Sequence, residues 1–133
     1  MTKHSYSKNF TAIIALLALL SVSPTLFAQD AKPFVGTWNG SLSAMGQEFD
    51  IVVEFSLDEN GNIQGNIDIP IQGAEDINLI NIAIDGKNIS FVIEGAPGDP
   101  TFAGELDEAG TKIEGKFSQS GVEGTFFLEK ATS

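Results

Sequence analysis

The stretch Phe34-Val35-Gly36-Thr37-Trp38-Asn39-Gly40-Ser41-Leu42 decides the fold. Phe34, Gly36, Trp38, Gly40 and Leu42 share one phase of a period-two pattern, and Val35, Thr37, Asn39 and Ser41 share the other. Successive side chains of a strand point to opposite faces of a sheet, so this reads as a strand with one apolar face. A helix would scatter the same residues around its circumference. The stretch also holds the only Trp of the chain.

Working outward, the pattern repeats. Phe49, Ile51, Val53, Phe55 and Leu57 oppose Glu48, Asp50, Glu54 and Ser56, and only Val52 breaks the polar set. Ile63, Gly65, Ile67, Ile69 and Ile71 oppose Asn62, Gln64, Asn66 and Asp68. In the fourth segment Ile77 and Leu79 hold one phase, then Ile80, Ile82 and Ile84 hold the other. One extra residue rotates everything after it by one face, so this predicts a β-bulge near Leu79-Ile80. Four more strands follow: Ile89-Phe91-Ile93, Phe102-Gly104-Leu106, Ile113-Gly115-Phe117 and Val122-Gly124-Phe126-Leu128.

The links carry turn chemistry. Asp58-Glu59-Asn60-Gly61, Asp85-Gly86-Lys87-Asn88, Glu108-Ala109-Gly110 and Ser120-Gly121 supply residues that tolerate positive φ. Gly73-Ala74-Glu75-Asp76 and Gly95-Ala96-Pro97-Gly98-Asp99-Pro100 are looser, and the second reads as a rim loop. Consecutive strands with short links form a meander. Each has one apolar face and no helix is at hand to cover it. Closure removes both edges, and inward glycines (Gly36, Gly40, Gly65, Gly104, Gly115, Gly124) let strands coil sharply and leave room for rings opposite. The expected fold over residues 34–130 is therefore all-β: an eight-stranded antiparallel up-and-down meander barrel, with the first strand paired to the last.

Residues 1–28 read as a cleavable signal peptide. Lys3, His4 and Lys8 form a basic start, Phe10 to Leu20 an apolar run too short for a membrane span, and Leu26-Phe27-Ala28 a cleavage site. No Cys follows to carry a lipid anchor. The short basic start is of bacterial form, which implies export to the periplasm or the medium. Residues 29–33 are a short lead-in.

Composition narrows the chemistry. The chain of 133 residues suits one domain, carries a net charge of −11 and has no Cys. Its basic residues are seven Lys, with no Arg. Removing the leader takes away Lys3, Lys8, His4 and Tyr6 and leaves five Lys against eighteen acids, a formal −13. Such a surface repels nucleic acid and anionic lipid heads and favours cationic partners and loosely held divalent ions; plain solubility is the simpler reading. Without His or Cys, no Ser-His or Cys-His pair exists in the mature chain. A carboxylate pair could still act as in a glycosidase, but nearly all acids fall on the outer phase or in turns. The expectation is a non-catalytic protein with no cofactor, no metal site, no nucleic-acid partner and no membrane span after the leader. Asp58-Glu59-Asn60-Gly61-Asn62 superficially resembles a calcium loop, but Gly sits at its fourth place instead of the sixth, and it reads as a hairpin turn. Asn39-Gly40-Ser41 and Asn88-Ile89-Ser90 fit the glycosylation acceptor pattern, which arises often by chance.

Phe34-Val35-Gly36-Thr37-Trp38 resembles the Gly-x-Trp opening of calycin barrels, the lipocalin and fatty-acid-binding class. A resemblance over nearly the whole mature chain is to the small β-barrel domain that precedes the catalytic domain in secreted bacterial α/β-hydrolases. It rests on Gly36-Thr37-Trp38-Asn39-Gly40-Ser41-Leu42, Gln72-Gly73-Ala74, Ile82-Ala83-Ile84-Asp85-Gly86, Phe102-Ala103-Gly104-Glu105-Leu106, Ile113-Glu114-Gly115-Lys116-Phe117 and Gln119-Ser120-Gly121. These are mostly glycines and core positions, so the resemblance implies a fold more than an activity. The hydrolase half, with its catalytic triad, is absent from this sequence. Calycins with internal ligands imply a lipophilic cargo.

Two readings of function follow: an exported binding barrel for a small apolar ligand or a partner protein, or an accessory module acting in trans on a secreted hydrolase. The candidate ligand-binding residues, in the barrel interior and rim, are Trp38, Phe49, Phe55, Phe91, Phe102, Phe117 and Phe126. The alternative for Trp38 is a core plug at one barrel end. Eight strands enclose an interior that side chains just fill or that holds one small ligand. On the outer phase, Phe127, Val52 and Val35 would make an exposed apolar strip, marking a partner surface, if strands one, two and eight are neighbours; the alternative is scattered surface apolars.

Overall fold

The computed structural model describes residues 30–132; the signal-peptide reading of residues 1–28 lies outside them. The chain forms eight strands: β1 (Gly36–Ala44), β2 (Gln47–Leu57), β3 (Ile63–Ile69), β4 (Ala74–Asp85), β5 (Asn88–Ile93), β6 (Thr101–Leu106), β7 (Lys112–Gln119) and β8 (Val122–Lys130). Each pairs antiparallel with the next, and β1 pairs with β8 from Trp38↔Lys130 to Ala44↔Gly124, closing an up-and-down barrel. The expected meander and its closure are the observed architecture.

The inward phase of every strand meets in one core. Trp38, Ile51, Val53, Phe55, Ile67, Ile89, Phe91, Phe102, Ile113 and Leu128 are fully or almost fully buried. Each such side chain stabilises the fold by roughly 1.5–3 kcal/mol relative to exposure, before chain entropy is set against it. Interior glycines make this packing fit. At Gly65 a Cβ would stand 2.8 Å from the Phe55 ring, and at Gly104 it would stand 2.9 Å from the Phe126 ring. At Gly40 it would run into the backbone carbonyl of Phe127, so β1 approaches β8 too closely for any side chain there.

Four expectations need correction. Phe34 does not open the first strand; it is buried at the end of a 3₁₀ turn, Lys32–Phe34, because Pro33 fixes φ and removes a ladder donor. Ile71 does not continue β3; Pro70 ends the ladder, and Ile71 stands 73% exposed in the turn Pro70–Gln72. The irregularity of β4 falls between Ile80 and Ala83, not at Leu79-Ile80. Ile80 faces outward opposite Val92, and Asn81 takes the extra place at φ 54°, after which Ile82 and Ile84 pack on the core. Asn tolerates the left-handed region and β-branched Ile does not, so the bulge settles one residue later. A second shift, near Asp76 at φ 53°, was not expected; the Asp76 N–H donates to Asp68 Oδ1 at 2.7 Å. Finally, β1, β2 and β8 are neighbours, but the outer face of β1 runs between Val52 and Phe127 with Asn39 and Ser41 opposite them. The apolar strip is therefore interrupted by polar residues.

The meander gives the barrel two different ends. One carries the Lys32–Phe34 turn and the links after β2, β4 and β6; the other carries the links after β1, β3, β5 and β7. At the first end Phe34 and Trp38 are both 0% exposed, and the Trp38 indole N–H donates to the Phe34 carbonyl at 2.9 Å. Lys130 Nζ donates to the Pro33 carbonyl at 3.2 Å and sits 5.4 Å from the Trp38 ring centroid. The Ala131 N–H reaches the Thr37 carbonyl at 2.8 Å. This end is sealed.

Candidate functional site

The second end is open. A cavity of about 610 Å³ enters the barrel there. Its wall is apolar, from Leu42 of β1, Phe49 of β2, Ile69 of β3, Ile77 of β4, Ile93 of β5 and Phe117 of β7. These positions follow from strand phase: each is an inward residue in the mouth half of its strand, where the sealed-end plug does not reach. The rim is built from the links. It includes Met45 after β1, Gln72 after β3, Gly95 to Pro97 after β5 and Ser120 after β7.

The seven candidate residues all lie on the inward phase, but they do not form one site. Phe49 and Phe117 line the cavity. Phe55, Phe91, Phe102 and Phe126 form a ring cluster further in. Phe91 stacks on Phe102 at 5.0 Å, and Phe126 meets Phe102 edge-on at 5.0 Å. Phe55 meets Phe91 edge-on at 5.5 Å. Phe117 ties cavity to cluster, with its ring centroid 5.0 Å from that of Phe102. None of these four rings lines the cavity; they pack behind Phe117. Trp38 stands at the sealed end, where it acts as the plug.

The sequence reading missed part of the lining. Leu42, Ile69, Ile77 and Ile93 were legible as inward residues but not as cavity wall, because strand phase does not say how deep a residue lies. Met45 was missed for another reason. Met45 and Gly46 form the β1–β2 turn at φ 53° and 74°. Met is no turn signal, and the Gly46 beside it was the one mark of that link. The Gly95–Pro100 loop, expected at a rim, is at the rim. It is tied down: Gln119 Nε2 donates to the Pro97 carbonyl at 2.8 Å, and the Ser120 N–H to the Gly98 carbonyl at 3.3 Å.

The polar chemistry of the mouth is sparse. Glu94 is the only ionisable residue among the cavity's lining residues, and its Oε1 accepts from Asn78 Nδ2 at 3.1 Å. Carboxylates elsewhere serve turns. Asp58 Oδ1 accepts the N–H groups of Asn60 and Asn62 at 2.8 and 2.9 Å, a hairpin turn as read from the sequence. Asp107 Oδ1 does the same for Thr111 at 2.9 Å and Lys112 at 3.2 Å. The Thr111 N–H, helped by those of Lys112 and Gly110 and by the Lys112 charge, holds the Asp107 carboxyl below its ordinary pKa.

The arrangement, a closed barrel of eight antiparallel strands with Trp38 buried at one end and a cavity at the other, is compatible with a calycin-like barrel. Among the described residues, no helix is long and apolar enough to cross a membrane. No known protein-family profile matches the chain, and no curated protein matches its sequence.

Proposed function

We propose that this chain is an exported, non-catalytic binding barrel that carries a small apolar ligand in its open end. The observation that supports this reading is the cavity of about 610 Å³, walled by aliphatic and aromatic side chains. Small-molecule sites are typically clefts of ~300–1,000 Å³ with mostly apolar walls and a few polar groups at fixed places. Phe49 and Phe117 are the aromatic contacts for the cargo, and the other rings set how deep it goes. The residue types of the lining favour binding over catalysis. Glu94 is the only ionisable residue of the lining, and the lining holds no His or Cys to activate the rim's Ser120 hydroxyl.

Native mass spectrometry of protein purified from its own host tests this. A retained small molecule, lost when Phe49 and Phe117 are both changed to Ala in a variant that keeps its β-sheet circular dichroism, is the expected result. Empty protein that also takes up no apolar probe in solution would contradict it. The second reading, a module acting in trans on a secreted hydrolase, draws support from the apolar side chains presented at the rim, Met45 at 79% and Ile71 at 73% exposure. The likeness to barrel domains fused to such hydrolases points the same way. A co-purifying enzyme would favour it. Turnover of ester or glycoside substrates by the pure chain would contradict both.

A further inference from the structure

Resting on the cavity reading, we infer that the open end takes an uncharged amphiphile, an apolar body ending in a hydroxyl, and that the Gln47 and Gln119 carboxamides hold that hydroxyl. Strand phase singles these two residues out. Along the inward phase of the eight strands every residue is apolar or Gly except Gln47 at the start of β2, Gln119 at the end of β7 and Lys130 at the end of β8. Lys130 belongs to the sealed end, over the Trp38 ring. Gln47 continues the phase of Phe49 and Ile51, Gln119 continues that of Gly115 and Phe117, and both line the cavity. Glu94 comes one place after the inward Ile93, on the outward phase, where its carboxylate accepts from Asn78 Nδ2 at 3.1 Å. The polar groups facing into the mouth from the strands are therefore two neutral amides.

What these amides can bond decides the head group. A carboxamide offers N–H donors and a carbonyl acceptor. Gln119 Nε2 donates to the Pro97 carbonyl at 2.8 Å, which anchors the side chain at the rim and leaves its Oε1 without a donor among the described residues. Gln47 is exposed and makes no side-chain hydrogen bond to a described residue, so both its donor and its acceptor are open to a ligand. An amphiphile whose tail lies along Phe49, Ile77, Ile93 and Phe117 leaves its head at the level of these two amides. A hydroxyl donates and accepts at once, so it can exchange its waters for both kinds of group. A carboxylate only accepts, and the inward phase at the mouth gives it no cation to offset the water it loses. A quaternary ammonium has no N–H for the amide carbonyls to accept. The same walls accept any of the three tails, and the amides favour the alcohol.

The test is a calorimetric titration at neutral pH with decanol, decanoate and decyltrimethylammonium, each kept below its solubility or aggregation limit, in about 0.15 M salt to screen the net charge of the chain. Decanol should bind about tenfold more tightly than either ion. Gln47→Met keeps a side chain of similar length without the amide. It should weaken decanol about three- to tenfold and leave the weaker binding of decyltrimethylammonium unchanged, which also shows that the variant is folded with its cavity intact. Either ion matching decanol, or a Gln47→Met protein that binds decanol as tightly as its parent, would overturn the assignment while leaving the cavity reading in place. No binding by any of the three would overturn the cavity reading itself.

Discussion

The two ends of the barrel are built by the same strands and solve different problems. At the sealed end, buried side chains and backbone groups are satisfied by one another: Trp38 by Phe34, Lys130 by Pro33 and the Trp38 ring, Ala131 by Thr37. The links there use Gly at positive φ, at Gly61, Gly86 and Gly110, and Asp carboxylates to hold their N–H groups. The open end also uses Gly at positive φ, at Gly46, Gly73, Gly95, Gly98 and Gly121, but Met45, Asp76, Asp99 and Ser120 join them without being Gly, and Met45 and Ile71 put apolar side chains into water. Residues in that backbone region are costly and persist where surrounding structure or function requires them. The difference teaches that stability is concentrated at one end, which leaves the other free to be shaped for a ligand.

Substitutions sharpen that contrast, beginning with the largest effect. Trp38→Ala should cost about 3–5 kcal/mol in urea unfolding, since it empties the plug and leaves the Phe34 carbonyl without its partner. It should leave the mouth's affinity for an apolar probe nearly unchanged wherever the variant stays folded. Phe117→Ala faces space that is already open on one side, so about 1.5–2.5 kcal/mol is expected, together with a clear loss of probe binding. Equal stability losses for the two, with equal effects on binding, would erase the distinction between plug and mouth.

Smaller effects probe the same division. Met45→Asn should raise stability by up to about 1 kcal/mol, because Asn accepts the left-handed backbone that Met occupies at φ 53°. Lys130→Met keeps the packing of the stem but loses the ammonium over Trp38, and should cost about 0.5–1 kcal/mol. The smallest effect is Asp107→Asn. The folded Asp107 carboxyl titrates below its ordinary value of 3.8, so its contribution is present above that pH and is lost as pH falls through the lower folded value. The variant should lose that small contribution at neutral pH and flatten the acid side of the stability curve, so that the two proteins converge below that range.

Period-two phasing made the strands, their inward faces and the β1–β8 closure legible before any coordinates, because a half-buried sheet writes its register into the sequence. Depth along a strand was not legible. Leu42 and Trp38 share a phase, yet one lines the cavity and the other seals the far end. Backbone exceptions were read one residue off or missed. The phase flip at Ile80 was visible, but the residue that absorbs it, Asn81, is the polar neighbour that hydrophobic phasing skips. Met45 turned a corner with only the Gly46 beside it to announce it. The gathering of Lys32, Lys87, Lys112 and Lys130 at the sealed end needed the topology, since these residues are scattered through the chain.

The central claim is that one end of the barrel is plugged and the other receives ligand. Amide and indole chemical-shift mapping during a decanol titration tests it most directly. Shifts confined to Phe49, Ile77, Ile93 and Phe117 and the Gly95–Pro100 loop, with the Trp38 indole signal unmoved, are the predicted result. A moving Trp38 signal, or saturable binding that spares the mouth, would contradict it.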